Sequence, residues 1–253
     1  MKRFVYKSCI LSCMCLLLSV PALAAHTDAA AVTTVPSGQV QSKQIPAQTQ
    51  KKQPVKAASA ENVLRDYNPR KDAAPQEPFP VVETNFKFNE TLLVRPKTDM
   101  LVIHHVGIPD GDTSAAAIHK AHLANGWAGI GYHYVIRKDG SIERGRPLAT
   151  VGAHAEGQNY HTVGINVTGN FEKETPTQSQ IASLEKLLVF LCQTYDIHPS
   201  AATIVGHRNV NSTDCPGKNL YRLLPEIRDD VALQLAEEKL KHVRLLHLTY
   251  PRS

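Results

Sequence analysis

The chain is poor in the residues that could hold a fold together covalently. It has five cysteines, and Cys9, Cys13 and Cys15 all lie within the first 24 residues. Only Cys192 and Cys215 remain beyond that point, which excludes a disulfide framework as the basis of the fold. Cys192 stands in a strongly apolar helical run and reads as a buried small hydrophobe, not as a bridge partner for Cys215. Long apolar runs are lacking too. The one near the N-terminus, residues 10–20, is too short for a membrane-spanning helix. No internal repeat is evident. Charge of one sign is also missing: the net formal charge is +5, and setting aside Lys2, Arg3 and Lys7 leaves 25 basic residues against 23 acidic ones. From Val81 onward there are 18 of each, so no basic stripe is available to follow phosphates and no nucleic-acid partner is expected.

What is present divides the chain by composition. Lys2 and Arg3 open a basic segment, residues 10–20 are apolar, and Ala22-Leu23-Ala24 is a small-x-small cleavage pattern. Residues 1–24 therefore read as a signal peptide, and an exported protein of the periplasm or extracellular cell envelope is expected, with no transmembrane segment once the signal is removed. Residues 25–80 are rich in Ala, Gln, Thr, Lys and Pro and hold few large apolar side chains, the composition of a flexible, disordered linker. Residues 81–229 have the length and mixture of one ordinary domain, and residues 230–253 carry helical spacing as a C-terminal extension.

Within the domain, residues 100–106 form a β-branched apolar run read as a buried strand. Asp112-Thr113-Ser114 offers caps for a helix closing at Asn125-Gly126. A strand is expected over 132–137, with a hairpin turn at Lys138-Asp139-Gly140-Ser141 into residues 142–144. A strand over 163–168 follows. Thr177 and Gln180 make a capping box for a helix to about Tyr195, with Ile181, Leu184, Leu188, Leu191 and Tyr195 on one face. Residues 203–205 read as a short strand, 219–224 as a helix, and Pro225 can open another. The economical architecture is α/β: a single domain with a central mixed β-sheet flanked by α-helices.

Three distant segments carry candidate chemistry: Val102-Ile103-His104-His105, Gly131-Tyr132-His133-Tyr134, and Gly206-His207-Arg208 running on to Thr213-Asp214-Cys215-Pro216-Gly217. Zinc favours imidazole nitrogen and thiolate sulfur, and a catalytic site keeps one position open. Two histidines and a cysteine would supply such a set. Neighbours on a strand face opposite ways, so only one of His104 and His105 can point at a metal, and periodicity does not choose between them. Strand alternation starting at Tyr132 would place Tyr132 and Tyr134 on one face. His119 and His122, at i and i+3, read as surface or hydrogen-bonded histidines.

Together these segments, with Gly126-Trp127, Asp139-Gly140, Gly152-Ala153-His154-Ala155 and the stretch from Val163 to Phe171, resemble the type 2 N-acetylmuramoyl-L-alanine amidases, a family that includes peptidoglycan recognition proteins and the amidase-type phage lysozyme. The similarity covers about residues 98–228 and rests on motif order and the eight-residue step from His207 to Cys215. It implies zinc held by His104, His207 and Cys215. It also implies a catalytic Tyr132 beside the metal, and a Thr213 able to donate to the scissile carbonyl oxygen. Trp127, His154 and Asn159 match positions that border the substrate groove. Some bacterial relatives carry a glutamate as general base on the strand that here holds Asn166, and an amide cannot take that role. The implied activity is hydrolysis of the bond between N-acetylmuramic acid and L-alanine in peptidoglycan or muropeptides. The alternative is a non-catalytic peptidoglycan-binding module, whose expected sequence mark, a lost ligand, is not seen.

Overall fold

The computed structural model describes residues 64–108 and 111–249. The expected signal peptide and the linker up to residue 63 lie outside the described residues, so neither expectation meets a structural counterpart.

Five strands form one mixed sheet in the order β3-β2-β4-β1-β5. They are β1 (Met100–His105), β2 (Tyr134–Ile136), β3 (Ile142–Arg144), β4 (Thr162–Val167) and β5 (Ile204–Gly206). β4 and β5 flank β1 in parallel, β2 runs parallel to β4, and β3 returns antiparallel on β2. The helices are α1 (Ala115–Ala124), α2 (Gln178–Tyr195), the short α3 (Lys218–Tyr221) and α4 (Leu224–Thr249). Among the described residues, no helix is long and apolar enough to cross a membrane.

Local chemistry explains the helix starts. Ser114 Oγ accepts from Ala117 N at 3.2 Å, and a Glu143 carboxylate oxygen from β3 accepts from Ala115 N at 2.5 Å. A carboxylate there also suits the positive end of the helix dipole. The Thr177–Gln180 capping box is formed in full, so α2 starts where its residues dictate. α4 takes in the whole expected extension up to Thr249, and its outer part carries exposed Leu233 and Leu240.

Strand alternation sorts the sheet into two unlike faces. Leu101, Ile103, Tyr134, Ile136, Val163, Ile165, Val167 and Ile204 point to one side, where they pack on Leu184, Leu187, Leu188 and Leu191 of α2 and on Ile227 and Val231 of α4. Each of these fully buried aliphatic side chains is worth about 1.5–3 kcal/mol relative to exposure. On the α1 side a smaller cluster forms from Ala115, Ile118, Ile130 and Val135. There β1 and β4 contribute His104, Gly164 and Asn166 beside a single buried aliphatic side chain, Val102.

Two details differ from the sequence reading. β2 begins at Tyr134, not at 132, so the alternation does not reach back to Tyr132. Tyr134 is buried in the α2-side core with its hydroxyl on Glu77, whereas Tyr132 packs with the α1-side cluster. The two tyrosines thus lie on opposite sides of the sheet. The composition boundary at Val81 is also late, because residues 64–80 are packed, not tether. Tyr67 N donates to Leu92 O at 2.7 Å, and Phe79 sets an edge-on contact with Phe190 at 5.9 Å. Glu77 pairs with Arg144 at 2.7 Å, the two side chains being 6% and 12% exposed. The segment continues along the sheet edge: Val82 N donates to Ile142 O at 2.8 Å, and Arg144 N donates to Val82 O at 2.9 Å. A few aromatic and charged residues with specific partners suffice to fix a stretch whose average composition looks unstructured.

Candidate metal centre

β1 and β5 are neighbours, and their C-terminal ends deliver the first two candidate ligands. His104 is the second-to-last residue of β1 and is 1% exposed on the α1 side. His207 follows β5 directly, in a 3-10 turn over His207–Asn209. The loop after it returns Cys215 to the same spot, because Arg208 N donates to Cys215 O at 2.8 Å. One ligand atom from each of His104, His207 and Cys215 lies within 4.8 Å of the others. Cys215 Sγ is 3.7 Å from His104 Nδ1. Position on the strand thus decides what periodicity left open: His104 faces the cluster, while His105 lies on the other side with its Nδ1 accepting from Phe171 N at 3.1 Å.

Do these residues fit a zinc ion? The donor set is two imidazoles and one thiol, which is a catalytic zinc set with a position left over. His207 Nε2 sits 3.0 Å from Asn211 Oδ1, an acceptor, so Nε2 carries the proton and Nδ1 keeps a lone pair. His105 N points at Cys215 Sγ at 3.3 Å, a contact that favours thiolate. In the absence of a cation, burial pushes the Cys215 thiol up to about 12, against the His105 N–H bond and the charge of Arg208. A divalent ion reverses that balance by displacing the proton. Burial also lowers His104 and His207 below the usual imidazole range, leaving both neutral and able to ligate. Beside His104 across the β1–β4 pairing, Asn166 is fully buried, and neither of its side-chain polar atoms has a partner among the described residues. The residues present fit the metal.

Through His207 the cluster borders a cleft of about 490 Å³. Trp127, Tyr132, His154, Asn159, His207 and Thr213 all line it. All eight residues singled out from the sequence therefore converge, although their detailed placements differ. Tyr132 stacks obliquely on His104, with ring centroids 5.0 Å apart. Burial, helped by Cys215, raises its hydroxyl pKa well above the ordinary tyrosine value, so it remains a donor. Thr213 Oγ1 accepts from Cys215 N at 3.2 Å, which leaves its own proton free to be donated. Trp127 forms a wall with His122, the ring centroids 4.7 Å apart. His154 is 8% exposed and its ring meets His104, not only the cleft. Burial lowers its pKa to about 3, with nearby His207 acting in the same direction, so it is neutral. Asn159 uses Oδ1 to accept from His154 N and Ala155 N, at 2.9 and 3.1 Å.

Sequence reasoning missed several contributors. His122, read as a surface or satisfied histidine, is part of the cleft wall, whereas its neighbour His119 turns away and stacks on Phe86 at 4.3 Å. Asn211 orients His207, and Thr162 reaches His154. Arg95 and Arg146, both buried, donate to backbone carbonyls of residues 150 and 151 and to that of Ile130. Only the Asn209-to-Asp214 loop composition hinted at Asn211; the others carry no local signal.

With the geometry in place, comparison with known proteins is informative. The sequence profile of the N-acetylmuramoyl-L-alanine amidase family matches residues 94–218. The endolysin of Escherichia phage T7 is 31% identical over 134 residues, covering 51% of this chain and 86% of the endolysin. Peptidoglycan-recognition protein SC2 of Drosophila melanogaster is 37% identical over 127 residues, covering 47% of this chain and 68% of that protein. Among solved structures, the N-acetylmuramoyl-L-alanine amidase LysC from Clostridium intestinale superposes with a TM-score of 0.55 at 38% identity, covering 60% of this chain and 97% of that one. The chain belongs to the N-acetylmuramoyl-L-alanine amidase (type 2) family.

Proposed function

We propose that this chain is an exported, zinc-dependent N-acetylmuramoyl-L-alanine amidase that separates stem peptides from the glycan of peptidoglycan or its fragments in the periplasm or extracellular envelope. The observation that carries the reading is the convergence of His104, His207 and Cys215 within 4.8 Å, with His207 also lining a cleft that holds Tyr132 and Thr213. Family membership supports the amide-hydrolase class. Export rests on the signal-like residues 1–24 alone.

His104 and His207 would hold the metal through ring nitrogens and Cys215 through its thiolate. When bound, zinc supplies a Lewis acid and lowers the pKa of a water to about 7. The protein's own groups do the rest. The cleft receives the muramoyl-alanine amide with its carbonyl toward Tyr132 and Thr213. The Tyr132 hydroxyl, kept protonated by burial, donates to the oxygen that gains negative charge as the carbonyl carbon becomes tetrahedral. Thr213 is placed to add a second, uncharged donor. Trp127 and His122, packed edge to face, give the cleft an aromatic wall against which a stem peptide can lie. Asn166 takes no proton here, being an amide with no exposure.

The test is digestion of purified peptidoglycan by the chain, with products identified by mass spectrometry, beside a chelator control and Cys215→Ala. Release of peptides beginning with L-alanine, lost in both controls, is the expected result. Muropeptides that bind to the zinc-loaded protein without being cut would replace the enzyme with a recognition module.

A further inference from the structure

Behind His104 runs a buried chain of hydrogen bonds whose direction can be read from its far end. Gln158 O is a carbonyl and can only accept, so the Thr162 hydroxyl, 2.8 Å away, gives its proton there. Thr162 Oγ1 then offers a lone pair to His154 Nε2 at 3.3 Å, which makes Nε2 the protonated nitrogen of His154. In a neutral imidazole the other nitrogen is bare, so His154 Nδ1 accepts, and the group it accepts from is His104 Nε2–H at 3.0 Å. The chain ends with the bare Nδ1 of His104, 3.7 Å from Cys215 Sγ. No metal has been assumed at any link, yet the order of protons leaves a lone pair aimed at the cluster.

The surroundings hold His154 in this pose. A Cβ on Gly164 would fall 2.4 Å from His154 Cγ, and one on Gly152 2.5 Å from His154 Cδ2, so the ring lies in a slot that only two glycines permit. Thr162 and Gly164 alternate onto the same face of β4, one supplying the acceptor and the other the platform. Asn159 pins the backbone on either side of His154.

We infer that His154 is a positioning residue for the metal: together with Thr162 it fixes the tautomer and ring orientation of His104, and its main task is not contact with the substrate. The inference rests on the zinc reading of the site. Partners of this kind, one step behind a ligand, typically contribute about 10–100-fold to metal affinity.

Zinc affinity, measured by competition with a chromophoric chelator on the whole chain, tests it. His154→Ala should weaken zinc binding about 10–100-fold, and Thr162→Val should weaken it less but in the same direction. Thr162→Ser and His154→Asn, whose amide oxygen can stand near the lost Nδ1, should recover most of the loss. In zinc-saturated Thr162→Val, whose altered residue does not line the cleft, KM for muropeptide should be unchanged. Unaltered zinc affinity in His154→Ala with a raised KM would overturn the inference and make His154 a substrate contact. If His154→Ala does not fold, Thr162→Val decides, and wild-type affinity in that variant overturns the inference as well. A parent chain that takes up no zinc would overturn both this inference and the reading beneath it, an outcome distinguishable from the others before any variant is made.

Discussion

The two faces of the sheet are made of the same strands and do opposite things. Toward α2 and α4, β1 and β4 present Leu101, Ile103, Val163, Ile165 and Val167, a dry interior whose one polar side chain from those strands is His105 at the end of β1, held by Phe171 N. One residue over on each strand they present His104, Gly164 and Asn166, joined there by His133 and His154. The first face supplies folding energy. The second spends space on polar groups that must be hydrogen-bonded one by one, and His133 illustrates the demand: Gly164 N donates to its Nδ1 at 3.0 Å, so its Nε2–H must go to Thr150 O at 2.9 Å. A domain can hold such a face because the other is so thoroughly apolar.

The contrast can be broken deliberately, and the largest effect should come from the polar face. Cys215→Ala should abolish amide hydrolysis and reduce bound zinc to background by elemental analysis, while the far-UV circular dichroism of the metal-free protein stays unchanged. Tyr132→Phe should lower kcat by about 10²–10³-fold, as loss of an oxyanion donor does, with zinc content retained. If kcat survives in this variant, the hydroxyl is not a donor to the transition state. On the dry face, Leu188→Ala should leave the chemistry intact and cost about 2–5 kcal/mol in urea unfolding, since Leu188 is fully buried. A loss of kcat in the folded fraction would show that the faces are coupled.

The smallest effect lies at the rim. Glu174 is partly buried, which acts to raise its pKa, but the hydrogen bonds from Lys138 and Asn170 N outweigh that and lower it. A carboxyl whose pKa is lower folded than unfolded adds stability above the unfolded value, about 4.3. That contribution disappears as pH falls through the folded value. Because the Lys138–Glu174 pair is roughly a quarter exposed on each side, at 30% and 27%, the effect should be small, about 0.2–1 kcal/mol. Urea midpoints of Glu174→Gln should therefore match the parent near pH 2 and fall slightly below it at pH 6.

Much of this was legible beforehand. The Thr177–Gln180 box, the leucine stripe of α2 and the β-branched run of β1 act over a few residues, and they appear where local chemistry puts them. The order of the His and Cys motifs likewise pointed to one cluster. Residues 64–80 did not announce themselves, because Glu77 and Phe79 have no local pattern and are ordered by Arg144 and Phe190, far away in the chain. Alternation from residue 132 predicts Tyr132 and Tyr134 on one face, but alternation holds only inside a strand, and the strand starts two residues later.

By itself the sequence determined the helix starts, the apolar stripe, the family and the donor types, since each depends on residue kind and short spacing. Residue spacing left His104 and His105 open, and the family resemblance pointed to His104. Tertiary structure gives the physical reason why its side chain and not that of His105 meets Cys215, because parity on a strand becomes a direction only when the sheet has neighbours. Tertiary structure alone brought His154 and Thr162 behind His104. Those residues are separated by 50 and 58 positions along the chain from the ligand they support, and only the parallel pairing of β1 with β4 makes them adjacent.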